Sequence, residues 1–233
     1  MCAERRRVGV LGGTFDPVHL GHLASAREVA AGLGLERVLL VLAAVPPHKR
    51  SGAAAPADAR WRMLQLAAAG AGPGGAILEP CDVELRRSGP SYTVDTLREL
   101  ALGDPSAEIF LIVGIDAWEE VDTWSRPGEI LELASVVVTT RPGRAFPQGG
   151  PKPPVAAQSV SRYDPAIGVH VHTSGHTLRG HRIRGIEVSA TDIRRRVRAG
   201  LPVDSLTGPA VARFIADHGL YRGGAPTEKE GRD

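Results

Sequence analysis

RRVGVLGGTFDPVHLGHLASAREVAAGLGLERVLLVLAAV, Arg6 to Val45, opens and closes on apolar runs without polar alternation, RRVGVL and RVLLVLAAV. Strands buried on both faces of a parallel sheet read this way. Between them Leu20, Leu23, Ala24, Val29, Ala30 and Leu33 recur at helical spacing, and Gly32 and Gly34 supply a stop. The stretch is a strand–helix–strand unit. Its first turn, GGTFDPVHLGH (Gly12 to His22), joins a glycine pair, a proline and two histidines three residues apart. Gly12 and Gly13 let a ligand approach the backbone, and the following helix aims unpaired N–H groups and its positive dipole end at the same place. His19 and His22 can both face an anion held there. A turn at Asp16 and Pro17 with capping histidines is the other reading of the same residues.

The alternation continues. ADARWRMLQLAAAG reads as a helix, AILEPCDVEL as a strand region, SYTVDTLRELAL as a helix and EIFLIVG as a buried strand. A short helical stretch at DAWEEVDTW and a helix at PGEILELA precede the strand SVVVTT. Strands alternating with helices imply a doubly wound, mostly parallel α/β sheet, whose ligands sit outside the carboxyl ends of the strands. From about residue 143 to 182 the chain is rich in Pro, Gly and Ser, and only AIGVHVH hints at a strand. It is expected to be an irregular surface excursion, so deleting Gly149 to Gly175 is expected to spare the chemistry. RIRGIEV resumes order, and SATDIRRRVRAG and SLTGPAVARFIADHGLY read as helices. Residues 1–221 are expected to form a single domain, with a frayed polar tail over 222–233.

Bulk properties narrow the function. In 233 residues, 42% are hydrophobic and 23% charged, and no apolar run approaches the roughly 18 residues of a membrane span. The basic N-terminus passes into a short strand without the features of a secretory signal. Two cysteines, Cys2 and Cys81, suit a reducing compartment, so the expected location is the cytoplasm. A net charge of +2 gives no reason to expect nucleic acid as a partner. A homo-oligomer is compatible with the apolar helix faces.

Other stretches carry polar groups suited to nucleotides. PPHK follows a strand's carboxyl end, where Lys49 can reach a phosphate or remain a solvated loop lysine. In SATDIRRRV, Ser189 and Asp192 are spaced as a capping pair, and Thr191 and Arg194 lie where a helix start holds an anion; an ordinary capped basic helix reads the same. Asp116 lies just past a strand, where a carboxylate can accept from ribose hydroxyls. Trp124 can stack on a flat ring or pack in a core. His170, His172, His176 and His181 match no closed zinc framework.

GGTFDPVHLGH resembles the signature of the nucleotidyltransferase superfamily with its (H/T)xGH element. PPHK, DAR ending at Arg60, SYTVDTL, GID with TW at Trp124, RPG at Arg141 to Gly143, and SATDIRRRV resemble, in order, elements of bacterial nicotinate-nucleotide adenylyltransferase. The resemblance implies a Rossmann-like sheet with helices on both faces. It also implies transfer of AMP from ATP to nicotinate mononucleotide, with Mg²⁺ accompanying ATP. It places ATP against Gly12, Gly13, Thr14, Phe15, Asp16, His19, His22, Asp116, Ser189, Thr191 and Arg194. The mononucleotide falls to Lys49, Arg60, Tyr92, Thr93 and Trp124, and catalysis to His19, His22, Lys49 and Arg194. SATDIR departs from the family's ISSTxIR at Val188 and Ala190, which removes a hydroxyl at position 190. The rival readings are adenylylation of nicotinamide mononucleotide or another phosphorylated acceptor, and a non-catalytic nucleotide- or RNA-binding module.

Overall fold

A computed structural model describes residues 6–46, 52–70, 76–140, 145–147 and 149–223. Strand β1 (Arg6–Gly13), helix α1 (Leu20–Leu33) and strand β2 (Arg37–Leu42) form the unit read from the sequence. Helix α1 ends at Gly34, whose φ of 62° is a left-handed conformation that costs glycine least. Helix α2 (Ala57–Ala69), strand β3 (Ile77–Cys81), helix α3 (Thr93–Gly103) and strand β4 (Ala107–Gly114) follow. Short helices α4 (Ile115–Trp118) and α5 (Ile130–Leu133) lead to strand β5 (Ser135–Thr139). After α6 (Val155–Gln158) come β6 (Ser161–Asp164), β7 (Val169–His172) and β8 (Thr177–His181). Helices α7 (Ala190–Arg198), α8 (Asp204–Thr207) and α9 (Pro209–Asp217) close the described chain.

The strands form one sheet in the order β3-β2-β1-β4-β5-β8-β7-β6. From β3 to β8 neighbours run parallel, while β7 is antiparallel to both β8 and β6. Unbroken apolar runs are needed because both faces are covered. Val38, Leu40 and Leu42 of β2, with Phe110 and Ile112 of β4, pack toward α1, α2 and α9. Their neighbours Leu39, Val41, Ile109, Leu111 and Val113 pack toward α3, α4, α5 and α6. Among the described residues, no helix is long and apolar enough to cross a membrane. Cys2 lies outside the described residues.

The expected irregular excursion is corrected by the structure. Its second half supplies β6, β7 and β8, and β8 extends the parallel sheet beside β5 with Leu178 opposite Val136. Only Val169 and His172 of β7 and Leu178 of β8 are buried in these three strands, so the apolar period is too sparse to read. Pairing makes them strands, β8 on β5, β7 on β8 and β6 on β7. His172 and His176 are linked through Ser174 Oγ, which lies 2.8 and 3.2 Å from their Nδ1 atoms. His172 Nδ1 accepts from Ser174 N at 3.1 Å, His176 Nδ1 donates to Leu131 O at 3.1 Å, and the His170 ring lies 5.0 Å from that of Tyr163.

Candidate active site

The strand order reverses between β1 and β4, and the crevice of a doubly wound sheet opens at the carboxyl side of such a reversal. Gly12 is the penultimate residue of β1 and Gly114 ends β4, both exposed, and a Cβ added at either would meet nothing within 4 Å. The floor of the crevice is open backbone.

Helix α1 starts at this floor. His19 is its N-cap, with extended φ and ψ of −147° and 168°, and His19 N donates to His22 Nδ1 at 3.2 Å. That bond fixes a tautomer: a neutral His22 ring whose Nδ1 accepts carries its proton on Nε2, as a donor. The two rings stack with centroids 3.6 Å apart, and Phe15 meets His22 edge-on at 5.0 Å. His19 is 7% exposed, and its Nδ1 is a buried ring nitrogen without a hydrogen-bond partner among the described residues. Burial lowers the His19 pKa to about 4. His22 is held well below the ordinary imidazole value, first by burial and then by neighbouring His19. Both rings are therefore neutral at pH 7 before an anion arrives.

Helix α7 faces α1. Ser189 caps it by accepting from Asp192 N at 3.1 Å, and Arg194 donates to Asp16 O at 2.7 Å and to Thr191 Oγ1 at 3.1 Å. The two helix starts touch at Gly21, where an added Cβ would fall 2.8 Å from Val188 Cγ1 and 3.1 Å from His19 Nδ1. Only glycine permits this approach. His19, His22, Ser189, Thr191 and Arg194, drawn from two distant motifs, thus stand around one crevice.

Two expected ligand contacts do other work. Asp16 is 2% exposed, and its carboxylate accepts from Ala54 N at 2.6 Å, Ala55 N at 3.1 Å and Tyr221 Oη at 2.8 Å. These three bonds make its side chain an organiser of the loop. Arg60, also 2% exposed, donates to Ala55 O, Thr14 O, Ala43 O and Ala44 O at 2.7–3.2 Å. Its guanidinium is committed to main chain, so it braces the backbone behind the crevice. Nearby Arg62 meets Gln65 at the exposed surface.

The other expected residues that are described lie in the segments after β3 and β4. Asp116 lies half-buried in the first turn of α4, directly past Gly114. Trp124 is half-buried beside the second core cluster, edge-on to Trp118 at 6.4 Å. Tyr92 caps α3 and Thr93 begins it. Tyr92 N is spent on Pro90 O at 3.1 Å, so the carboxylate-reading amides expected here narrow to the first turn from Thr93 onward. Lys49 and the RPG stretch at 141–143 lie outside the described residues. Pro46, the first residue of PPHK, is described, and the neighbouring Val45 is clasped by Ser91 through both its N–H and its carbonyl, at 3.1 and 3.0 Å.

The cytidylyltransferase-like family profile matches residues 10–196, from β1 to the basic end of α7. The chain belongs to the cytidylyltransferase-like family. A relative from Saccharopolyspora erythraea, named "Probable nicotinate-nucleotide adenylyltransferase", is 38% identical over 95% of this chain and 92% of its own. One of the same name from Thermus thermophilus is 40% identical over 93% of this chain and 100% of its own. Among solved structures, Plasmodium falciparum nicotinic acid mononucleotide adenylyltransferase complexed with NaAD has the same fold, with a TM-score of 0.68 at 14% identity. That match covers 93% of this chain and 97% of the other. In this cytidylyltransferase-like chain, sequence reasoning passed over Tyr221, Ser91 and the amides of Ala54 and Ala55. No local signal marks them, because each acts through a partner far away in the chain.

Proposed function

We propose that the protein is an adenylyltransferase that joins AMP from ATP to nicotinate mononucleotide, giving nicotinate adenine dinucleotide and pyrophosphate. The observation that carries this reading is the pair of helix starts, α1 and α7, held against each other over the open ends of β1 and β4, with a buried His19 Nδ1 that has no partner among the described residues. A ligand oxygen is the partner such a nitrogen calls for. The names of the 38–40% identical relatives select the acceptor.

An oxygen of the mononucleotide's 5′-phosphate attacks the α-phosphorus of ATP. The new O–P bond forms as the bond to the bridging oxygen of the β-phosphate breaks, and the electron pair leaves with pyrophosphate. A phosphate monoester dianion needs no proton removed, so the chain's work is positioning and stabilisation of charge. His19 and His22, neutral when the site is empty, present N–H donors to the phosphates. Arg194, already fixed on Asp16 O, adds a permanent cation, and the first-turn amides of α1 and α7 add their dipoles. Among the described residues, no group of three or more His, Cys, Asp or Glu is placed to hold a metal ion, and Asp16 is occupied by its three donors. Mg²⁺ arriving with ATP would neutralise charge on the triphosphate. The two-cysteine composition supports a cytoplasmic setting, where these substrates meet.

The test is pyrophosphate release from MgATP by the purified full chain, with nicotinate or nicotinamide mononucleotide added. Release that depends on the nicotinate form and is weaker with the amide is expected. Equal release with both overturns the acceptor assignment, and no acceptor-dependent release overturns the enzymatic reading.

A further inference from the structure

Asp16 joins three parts of the chain at one buried carboxylate. Ala54 and Ala55 bring the segment between β2 and α2, and Tyr221 brings the turn after α9, 205 positions away. From the other side of the same residue, Asp16 O receives Arg194, the cation of the α7 start. Asp16 lies three residues before His19, so its orientation also sets where α1 begins.

Tyr221 is built into this position. Its φ of 65° is left-handed, an uncommon conformation for a side chain of this size. Its ring packs against the first core cluster. Burial and the adjacent Asp16 charge push its phenol well above the ordinary tyrosine value, so the hydroxyl keeps its proton and can act only as the donor to Asp16. Packing alone would be served by phenylalanine. The hydroxyl donates to the loop that leads into the histidine pair.

We infer that Tyr221 is a positioning residue: its hydroxyl latches the C-terminal turn onto Asp16 and so holds the Asp16 loop, and through it Arg194 and the α1 start, in the geometry that grips the ATP phosphates. This rests on the proposed reading that the crevice binds ATP. Without the hydroxyl, Asp16 loses one of its three donors while the ring packing remains. The loop is then free to rotate its carbonyl away from Arg194.

The experiment uses the full chain with Tyr221→Phe, Arg194→Ala and the double variant. The probe is a non-hydrolysable ATP analogue titrated by calorimetry, with thermal melts on the same samples. Tyr221→Phe is expected to weaken analogue binding about tenfold, equivalent to about 1.4 kcal/mol. In the Arg194→Ala background the same substitution is expected to have almost no further effect on binding, while its effect on the melt persists. Independent, multiplicative losses in the double variant, or unchanged binding in Tyr221→Phe, would overturn the latch, since a merely structural tyrosine lowers the melt without this coupling. Should Tyr221→Phe not fold, Asp16→Asn tests the latch from the other end, with the same loss of coupling to Arg194. Because binding needs no acceptor, a failed turnover assay with intact analogue binding counts against the proposed reaction and leaves the latch to be judged. No analogue binding by the unmodified chain counts against the ATP site itself.

Discussion

His19 and His22 show how far one residue's surroundings can set its chemistry. Both belong to the short helix start HLGH, yet their neutrality comes from burial and, for His22, also from neighbouring His19. His22→Ala removes an aimed donor, a change that costs on the order of 3 to 4 kcal/mol of barrier, so turnover is expected to fall about a hundredfold or more. It also removes the acceptor for His19 N, a capping loss of about 1 kcal/mol that a melting curve should resolve without loss of fold. Near-normal turnover in a folded His22→Ala protein would remove the histidine pair from the mechanism. A depressed histidine pKa also makes stability depend on pH. The unfolded imidazole takes up a proton near pH 6.5, whereas folded His19 resists until about 4, so its contribution is complete above about pH 6.5 and is lost as pH falls toward 4. Melting temperature is expected to drop from pH 7 toward 5, and to drop less in a His19→Asn/His22→Asn protein. Asp16 and Arg60 were equally visible in the sequence, but their roles were not. What a carboxylate or guanidinium touches depends on which carbonyls and hydroxyls fold around it, and here those belong to residues 43, 44, 54, 55 and 221.

At the scale of elements, the site is two helix starts pressed together. Each was legible separately, α1 from its glycines and histidines and α7 from its Ser189 cap. Their contact rests on the absence of a Cβ at Gly21. Gly21→Ala is expected to push Val188 away and part the two starts, raising the KM for ATP severalfold with little change in the KM for the mononucleotide. Val188→Ala in the same chain clears the 2.8 Å overlap and is expected to restore ATP affinity; failure of this rescue would show that the contact does not set the phosphate site. The edge strands teach the reverse lesson. Strands β6 and β7 carry too few buried apolar residues for a period-2 signal, and they exist because β8 offers them a ladder.

The whole molecule places the crevice where the strand order reverses, between β1 and β4, and the sheet continues without a break to β6. Deleting Gly149 to Gly175, a change the sequence alone made look harmless, removes β6 and β7 and uncovers the edge of β8. The deleted protein is expected to lose solubility or cooperative unfolding, seen as aggregation on gel filtration or a broadened melt. A soluble, sharply melting deletion protein would mean that the hairpin is dispensable. The sequence by itself determined the alternation of strands and helices, the burial of both sheet faces and the phosphate-ready turn at Gly12 to His22. Each of these is written by residues a few positions apart, through periodicity, capping and turn chemistry. Only the tertiary structure decided that Asp16 and Arg60 brace the loop, that Tyr221 reaches back to it, and that residues 161–181 finish the sheet. Those outcomes depend on partners tens to hundreds of residues distant, whose orientation no local pattern encodes.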